Sequence, residues 1–323
     1  MNEPIWDYCE MFIVSGKPLI RLAKGRLGSR KRAGPATTTK ISHLVCRRGT
    51  SNAPGATQGP QSEQLTRPRS STVDNLVALI LAAAMLAVFL LLRPPELPPS
   101  RLLLAIVITA GFTGIAWLSH GVDLGGAQAG SAIAFILAAR NVRVFLVLLL
   151  VFALVLAATR LGSERKQRMR TAEAASGRSA SQVMANLGIA GLAVAVAPLH
   201  WPIVALAALA EAAADTSSSE VGMAFPARTV LITTGNQVPP GVDGGISLLG
   251  TGTALVSAGI IALAGLALGL LPFRMAAVVA LAGFLGTLID SLLGALVERR
   301  GWLNNDLVNL MSTASAAGMA WLM

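Results

Sequence analysis

From residue 73 onward the chain returns repeatedly to apolar runs, and no other feature restricts its fold so strongly. Nine such segments are read, at 76–92, 102–118, 127–139, 144–158, 183–197, 203–214, 251–271, 275–296 and 308–323. A helix crossing the ~30 Å hydrocarbon core of a bilayer needs ~20 apolar residues, and only helices or closed barrels satisfy every backbone polar group there. The expected fold is all-α: a polytopic transmembrane helical bundle of about nine spans, the shorter ones tilted, partly re-entrant or shielded by neighbours. Composition agrees, since 54% of the 323 residues are hydrophobic and 13% charged, which excludes a disordered chain and an ordinary soluble domain.

A formal net charge of +10 invites a nucleic-acid reading, but residues 1–73 hold 12 Lys/Arg against 4 Asp/Glu. The remainder is almost neutral, so the expected partner is membrane lipid and not nucleic acid. Residues 1–73 read as a basic disordered tail, rich in Arg, Ser, Thr, Gly and Pro. It is either a targeting segment or translated sequence ahead of the true start. Its Arg/Ser content suits an organelle transit peptide, whereas Glu3, Asp7 and Glu10 stand where such peptides avoid acids. Residues 74–323 form the transmembrane domain. Its most basic connector, with Arg160, Arg165, Lys166, Arg168, Arg170 and Arg178, is expected to face the cytoplasm of a bacterial inner or plasma membrane. With about nine spans, the connector at 215–250 and Arg299–Arg300 fall on that same side.

Two cysteines, Cys9 and Cys46, and three scattered histidines rule out a disulfide framework and a zinc or haem site. A bound metal would need oxygen ligands, which favours Mg²⁺. Carboxylates are scarce, so each one is informative. Glu211, Asp215 and Glu220 close an Ala-rich span at spacings of four and five, and Glu211, Asp215 and Ser219 share a helix face. A carboxylate at membrane depth costs about 2.5–3.5 kcal/mol on insertion scales, so it persists where a cation or a watery cavity receives it. The plainer reading is a helix end reaching water with Ser and Thr as caps.

Asp243 lies in the run Val238-Pro-Pro-Gly-Val-Asp-Gly-Gly, where Gly241, Gly244 and Gly245 could gather backbone N–H groups into an anion-binding nest; the plainer reading is a turn. Gly286, Asp290 and Gly294 recur every four residues along one helix face that admits a close neighbour. Asp290 there must be paired, metal-bound or protonated, with Arg228 and Arg274 as partners suggested by loop position. Gln182 and Asn186, one turn apart, and Asn304, Asn305, Asp306 and Asn309 face a site or cap helices. Gly265 and Gly269 are assigned to helix packing, and His200 beside Trp201 to the far interface.

Taken in order, Gln182-Val-Met-Ala-Asn186, Asp215-Thr216 with Glu220-Val-Gly222, the run from Val238 to Thr251, Gly283 to Gly294, and Asn309 resemble the domain of unknown function 92 family, which is transmembrane protein 19-like and has a phytyl-phosphate kinase as its plant member. The likeness covers residues 74–323 and is strongest at 182–312. It implies an integral membrane phosphotransferase that moves a phosphoryl group from a nucleoside triphosphate, CTP by analogy, to an isoprenyl monophosphate with Mg²⁺.

By that resemblance Asp215, Asp243, Asp290 and Glu220 form the catalytic acidic site, the three aspartates are the metal ligands, and Gly241, Gly244, Gly245, Arg228, Gln182 and Asn186 bind phosphate. Arg165 and Lys166 would add phosphate clamps, and the lipid tail would lie between the fifth and eighth spans. Val242 and Leu187 depart from the family pattern, as does Ser176-Gly-Arg-Ser179. The competing class is a transporter or permease in which the buried aspartates bind a cation or proton.

Overall fold

A computed structural model describes residues 7–14, 17–23, 43–46, 71–92, 97–169, 171–196, 200–225 and 227–323. The chain divides into two units, Met1–Gly59 and Pro60–Met323. In the first, β1 (Asp7–Val14) pairs antiparallel with β2 (Lys17–Ala23) on one side and β3 (His43–Cys46) on the other. The disordered tail expected over residues 1–73 falls otherwise mostly outside the described residues.

The second unit is helical. Its order is α1 (Thr72–Leu92), α2 (Pro99–Leu118), α3 (Leu124–Arg140), α4 (Val142–Arg160), α5 (Ser163–Met169), α6 (Ala180–Val196), α7 (Trp201–Ala224), strands β4 (Thr229–Leu231) and β5 (Gly245–Ser247), then α8 (Leu248–Ala267), α9 (Phe273–Leu296) and α10 (Asn305–Leu322). Each of the nine apolar segments overlaps one of these helices. Among the described residues, five helical segments are long and apolar enough to cross a membrane: α1, α2, α4, α8 and α9 with its 3₁₀ extension to Arg300. About nine crossings is therefore not established. α3 and α6 have 17 residues each, and α7 is polar towards its C-terminal end. The outward apolar surface expected of lipid-facing helices is present, as at Leu103, Ile106, Val107 and Ile115 of α2, all exposed.

α7 is the axis of the bundle, in contact with α4, α6, α8, α9 and α10. It can be surrounded because it is narrow: from Ala205 to Ala214 every residue is buried, and all but Leu206, Leu209 and Glu211 are alanine. Where no water drives apolar association, close backbone approach and dispersion supply the packing energy. α9 reciprocates with glycine. A Cβ on Gly283 would stand 2.8 Å from the Ala210 Cβ, and one on Gly286 would meet the Glu211 Cγ at 2.5 Å and the Ala316 Cβ at 3.0 Å. The glycine face read from the sequence is thus the one that admits α7 and α10. Gly265 likewise lies against Leu206, but Gly269 has φ of 66° just beyond α8 and ends that helix instead of packing it.

The connectors bearing the polar motifs gather at one end. Asp123 N–H donates to the Arg178 carbonyl at 3.0 Å, tying the α2–α3 loop to the approach to α6. Arg165 Nε donates to the Met223 carbonyl at 3.2 Å, and Ser181 Oγ donates to Asp306 of α10 at 2.6 Å. At the other end Asn141 alone joins α3 to α4 in extended backbone, its side chain accepting from Arg143 N–H at 2.9 Å. The His200 ring stacks edge-on against Trp321 at 5.3 Å, and Arg140 lies 6.0 Å from the Trp201 ring.

This packing makes a contrast testable. Gly283→Leu is expected to cost about 1–3 kcal/mol, because the added side chain meets α7 backbone and side-chain atoms. Gly259→Leu on α8, where an added Cβ meets nothing within 4 Å, should stay within about 0.5 kcal/mol. Reversible unfolding of both variants in bicelles checks the pair; equal losses would remove the packing account.

Candidate active site

α7 does not end where its polar residues begin. The helix continues to Ala224, with Thr216, Ser217 and Glu220 buried, so the reading of a helix end with hydroxyl caps fails. Ser218 and Ser219 instead donate to the carbonyls of Asp215 and Thr216, at 2.9 and 3.1 Å. Each hydroxyl is thereby satisfied within its own helix, which keeps the polar turns of α7 helical inside the bundle.

Around these turns lies a cavity of about 120 Å³. Asp215 reaches it from α7, Asp290 from α9, and Asp243 from the loop of the β4–β5 hairpin. Three aspartates from distant parts of the chain therefore line one space. The hairpin loop is held against α9 by glycine. Gly244 has φ of 74°, and a side chain on it would strike Ala295 within 2.4 Å, while one on Gly294 would stand 2.9 Å from the Gly244 nitrogen. The four-residue repeat thus serves two contacts: Gly286 admits α7, and Gly294 admits the turn carrying Asp243.

Gly241, Gly244 and Gly245 all line the cavity, but the Gly245 N–H is committed to the Val242 carbonyl at 2.9 Å. Among the described residues no three Asp, Glu, His or Cys side chains converge tightly enough to hold a metal ion unaided. Mg²⁺ commonly takes one or two carboxylates and completes its shell with water and substrate phosphate oxygens. The donor set, all oxygen, fits that ion.

Glu220 is differently engaged. Its carboxylate accepts from Lys166 Nζ at 2.6 Å, the two side chains being 5% and 1% exposed. Lys166 spends its other protons on the Ala158 and Thr159 carbonyls at the end of α4. Lys166 is therefore a clamp on protein and not on phosphate, and Glu220 anchors α5 and the end of α4 to α7. Arg228 is exposed and outside the cavity lining, and Arg274 stands sixteen residues before Asp290 on α9, a rise of about 24 Å. Neither lies where loop position had suggested.

The cavity's guanidinium comes from Arg178, which sequence reading had treated only as a sign of orientation. Its side chain is 16% exposed and lies 3.8 Å from Glu173. Beside it, Gln182 Oε1 accepts from Ser179 N–H at 2.8 Å, as in a capping box, and Asn186 Nδ2 donates to the Gln182 carbonyl at 2.9 Å. Both amides line the cavity, with Asn305 and Asn309 of α10; Asn304 caps α10 and Asp306 holds Ser181. Deeper in, Glu211 is 1% exposed, with Ser312, Asp215 and Asp290 beside it.

Residues 106–317 match a family described as integral membrane protein DUF92. The chain belongs to that family. It is 33% identical to an uncharacterized membrane protein of Synechocystis over 57% of this chain and 74% of that one. An uncharacterized membrane protein of Methanocaldococcus jannaschii is also 33% identical, over 66% of this chain and 90% of its own. The chloroplastic protein VTE6 of Arabidopsis thaliana is 30% identical over 62% of this chain, which spans 65% of that relative. No solved structure matches. This DUF92 member is accordingly an integral, multi-pass membrane protein.

The buried ion pair carries a prediction. Lys166→Met leaves the Glu220 carboxylate buried beside apolar atoms and should cost about 3–5 kcal/mol, whereas Lys166→Met with Glu220→Leu should recover most of it. Thermal unfolding in detergent separates the two variants; equal instability would show that the pair's charges are not what matters.

Proposed function

We propose that this protein is an isoprenyl-phosphate kinase, transferring the terminal phosphoryl group of a nucleoside triphosphate, CTP by family resemblance, to an isoprenyl monophosphate. One observation carries the reading: among the described residues, the cavity lining holds six carboxylates and one guanidinium. A bare polyanion would be repelled from such a space, while a nucleotide and a lipid phosphate accompanied by divalent cations would be held. The family resemblance to phytyl-phosphate kinase supplies the acceptor class, and the similarity to VTE6 supports it.

In this reading Asp215, Asp243 and Asp290 hold Mg²⁺ ions, one or two carboxylates to an ion with phosphate oxygens completing the shell, and Arg178, Gln182 and Asn186 orient the acceptor phosphate. When bound, Mg²⁺ neutralises charge on the transferring group. A bond forms between an acceptor phosphate oxygen and the terminal phosphorus, the bridging P–O bond breaks, and the nucleoside diphosphate leaves. The acceptor is already ionised, so no general base is required. The turn at Gly241–Gly245 approaches the phosphates through backbone, and Glu220 acts by positioning the end of α7. The site would face the cytoplasm of a bacterial inner membrane, where soluble nucleotide arrives.

A transporter is favoured by one feature, the buried Glu211 beside Asp215 and Asp290. The two readings part in a single preparation. Purified protein with geranylgeranyl monophosphate, Mg²⁺ and each nucleoside triphosphate in turn should yield the diphosphate, and Asp215→Asn and Asp290→Asn should each lower turnover at least about 100-fold. Absence of product with every donor, or full activity in both variants, ends the kinase reading; ion flux in liposomes by the same protein would establish the other.

A further inference from the structure

A second cavity, of about 90 Å³, adjoins the first and is almost wholly apolar. Its walls come from α2, α3, α4, α6 and α7, with Phe112, Leu148, Val151, Phe152, Val155 and Leu187 among them. Apart from Thr113, its polar lining residues are Arg178, Gln182, Asn186 and Thr216, and all four also line the acidic cavity. The two spaces therefore meet at one polar rim. At that rim Arg178 supplies a guanidinium donor to both spaces.

The emptiness of this cavity is not imposed by crowding. Gly130 of α3 lines it, and a Cβ added there meets only Val183, at an ordinary 3.7 Å. A side chain could stand there, and its absence leaves room. A hydrocarbon chain that fits such an apolar space gains dispersion contacts with its walls. Its outer wall is side chain: Phe112 of α2 meets Phe145 and Phe152 of α4 edge to face, at 5.7 and 5.2 Å. Both helices are among the five long and apolar enough to cross a bilayer.

An apolar space sharing four polar residues with an acidic, phosphate-suited space has the polarity of one amphiphile, hydrocarbon on one side of the rim and phosphate on the other. We propose that the apolar cavity seats the phosphate-proximal isoprenoid units of a prenyl monophosphate, admitted from the bilayer between α2 and α4, with the phosphate at Arg178, Gln182, Asn186 and Thr216. This rests on the kinase reading for the head group and adds the place of the tail. The tail then lies among α2–α4, α6 and α7, not between the fifth and eighth spans.

Photo-crosslinking locates the tail without requiring turnover. Full-length protein in nanodiscs is irradiated with a geranyl monophosphate probe bearing a diazirine on its first isoprene unit, with no nucleotide, and labelled residues are mapped by peptide mass spectrometry. Labels are expected on Phe112, Leu148, Phe152 or Leu187, reduced about tenfold or more by excess farnesyl monophosphate. Gly130→Leu should cut this labelling about tenfold; if that variant does not fold, Leu187→Trp fills the same space from α6 and replaces it.

Labels confined to outward residues such as Leu103 and Ile106, or to α8 and α9, overturn the proposal, as does unchanged labelling in a folded cavity-filling variant. Cavity labelling by a protein that makes no diphosphate would uphold the tail site while removing the kinase reading. Diphosphate formation with labels elsewhere would do the reverse.

Discussion

A carboxylate carried into a membrane bundle has to find positive charge, hydrogen-bond donors or water, and the end of the bundle that holds the connectors is organised by how each acid meets that demand. Glu220 takes Lys166, and in doing so fixes three helices to one another. Glu173 takes Arg178. Asp306 accepts from Ser181 and joins the openings of α6 and α10. Asp215, Asp243 and Asp290 are brought to the wall of a common cavity.

Bringing those acids together is possible because the helices between them are thin. Alanine along α7 and glycine along α9 allow backbone separations that larger side chains would forbid, and Gly294 extends the same economy to the hairpin turn. The acidic cavity is therefore a product of packing as much as of polar chemistry. Its depth follows from α7 remaining helical to Ala224 while its serines bond within the helix.

Much of this was legible in the amino acids. The apolar runs located the helices, the cost of charge at membrane depth singled out Asp215 and Asp290, and the glycine-rich turn singled out Asp243. The repeat Gly286, Asp290, Gly294 announced a close neighbour, though not that the neighbours would be α7 at one glycine and a turn at the other. Lys166 was misread, because a lysine in a basic loop looks like a free cation until its distance to Glu220 is known. Arg178 was overlooked for the same reason in reverse: its loop signalled orientation, and only the fold carries that residue to the cavity. The apolar cavity left no trace in the sequence, since Phe112, Leu148 and Phe152 are ordinary membrane residues and a void is a property of arrangement.

The junction at Asn141 has a consequence for how this protein can change. One residue separates α3 from α4, so no slack exists there to absorb an added or deleted position. Since each helical residue turns the axis by about 100°, a single insertion would swing the faces of α4 around, sending Phe152 and Thr159 away from the partners they now meet. Length variation should be harmless in the exposed part of the hairpin loop around Gly235 and ruinous at Asn141, giving the molecule a rigid spine and an adjustable rim.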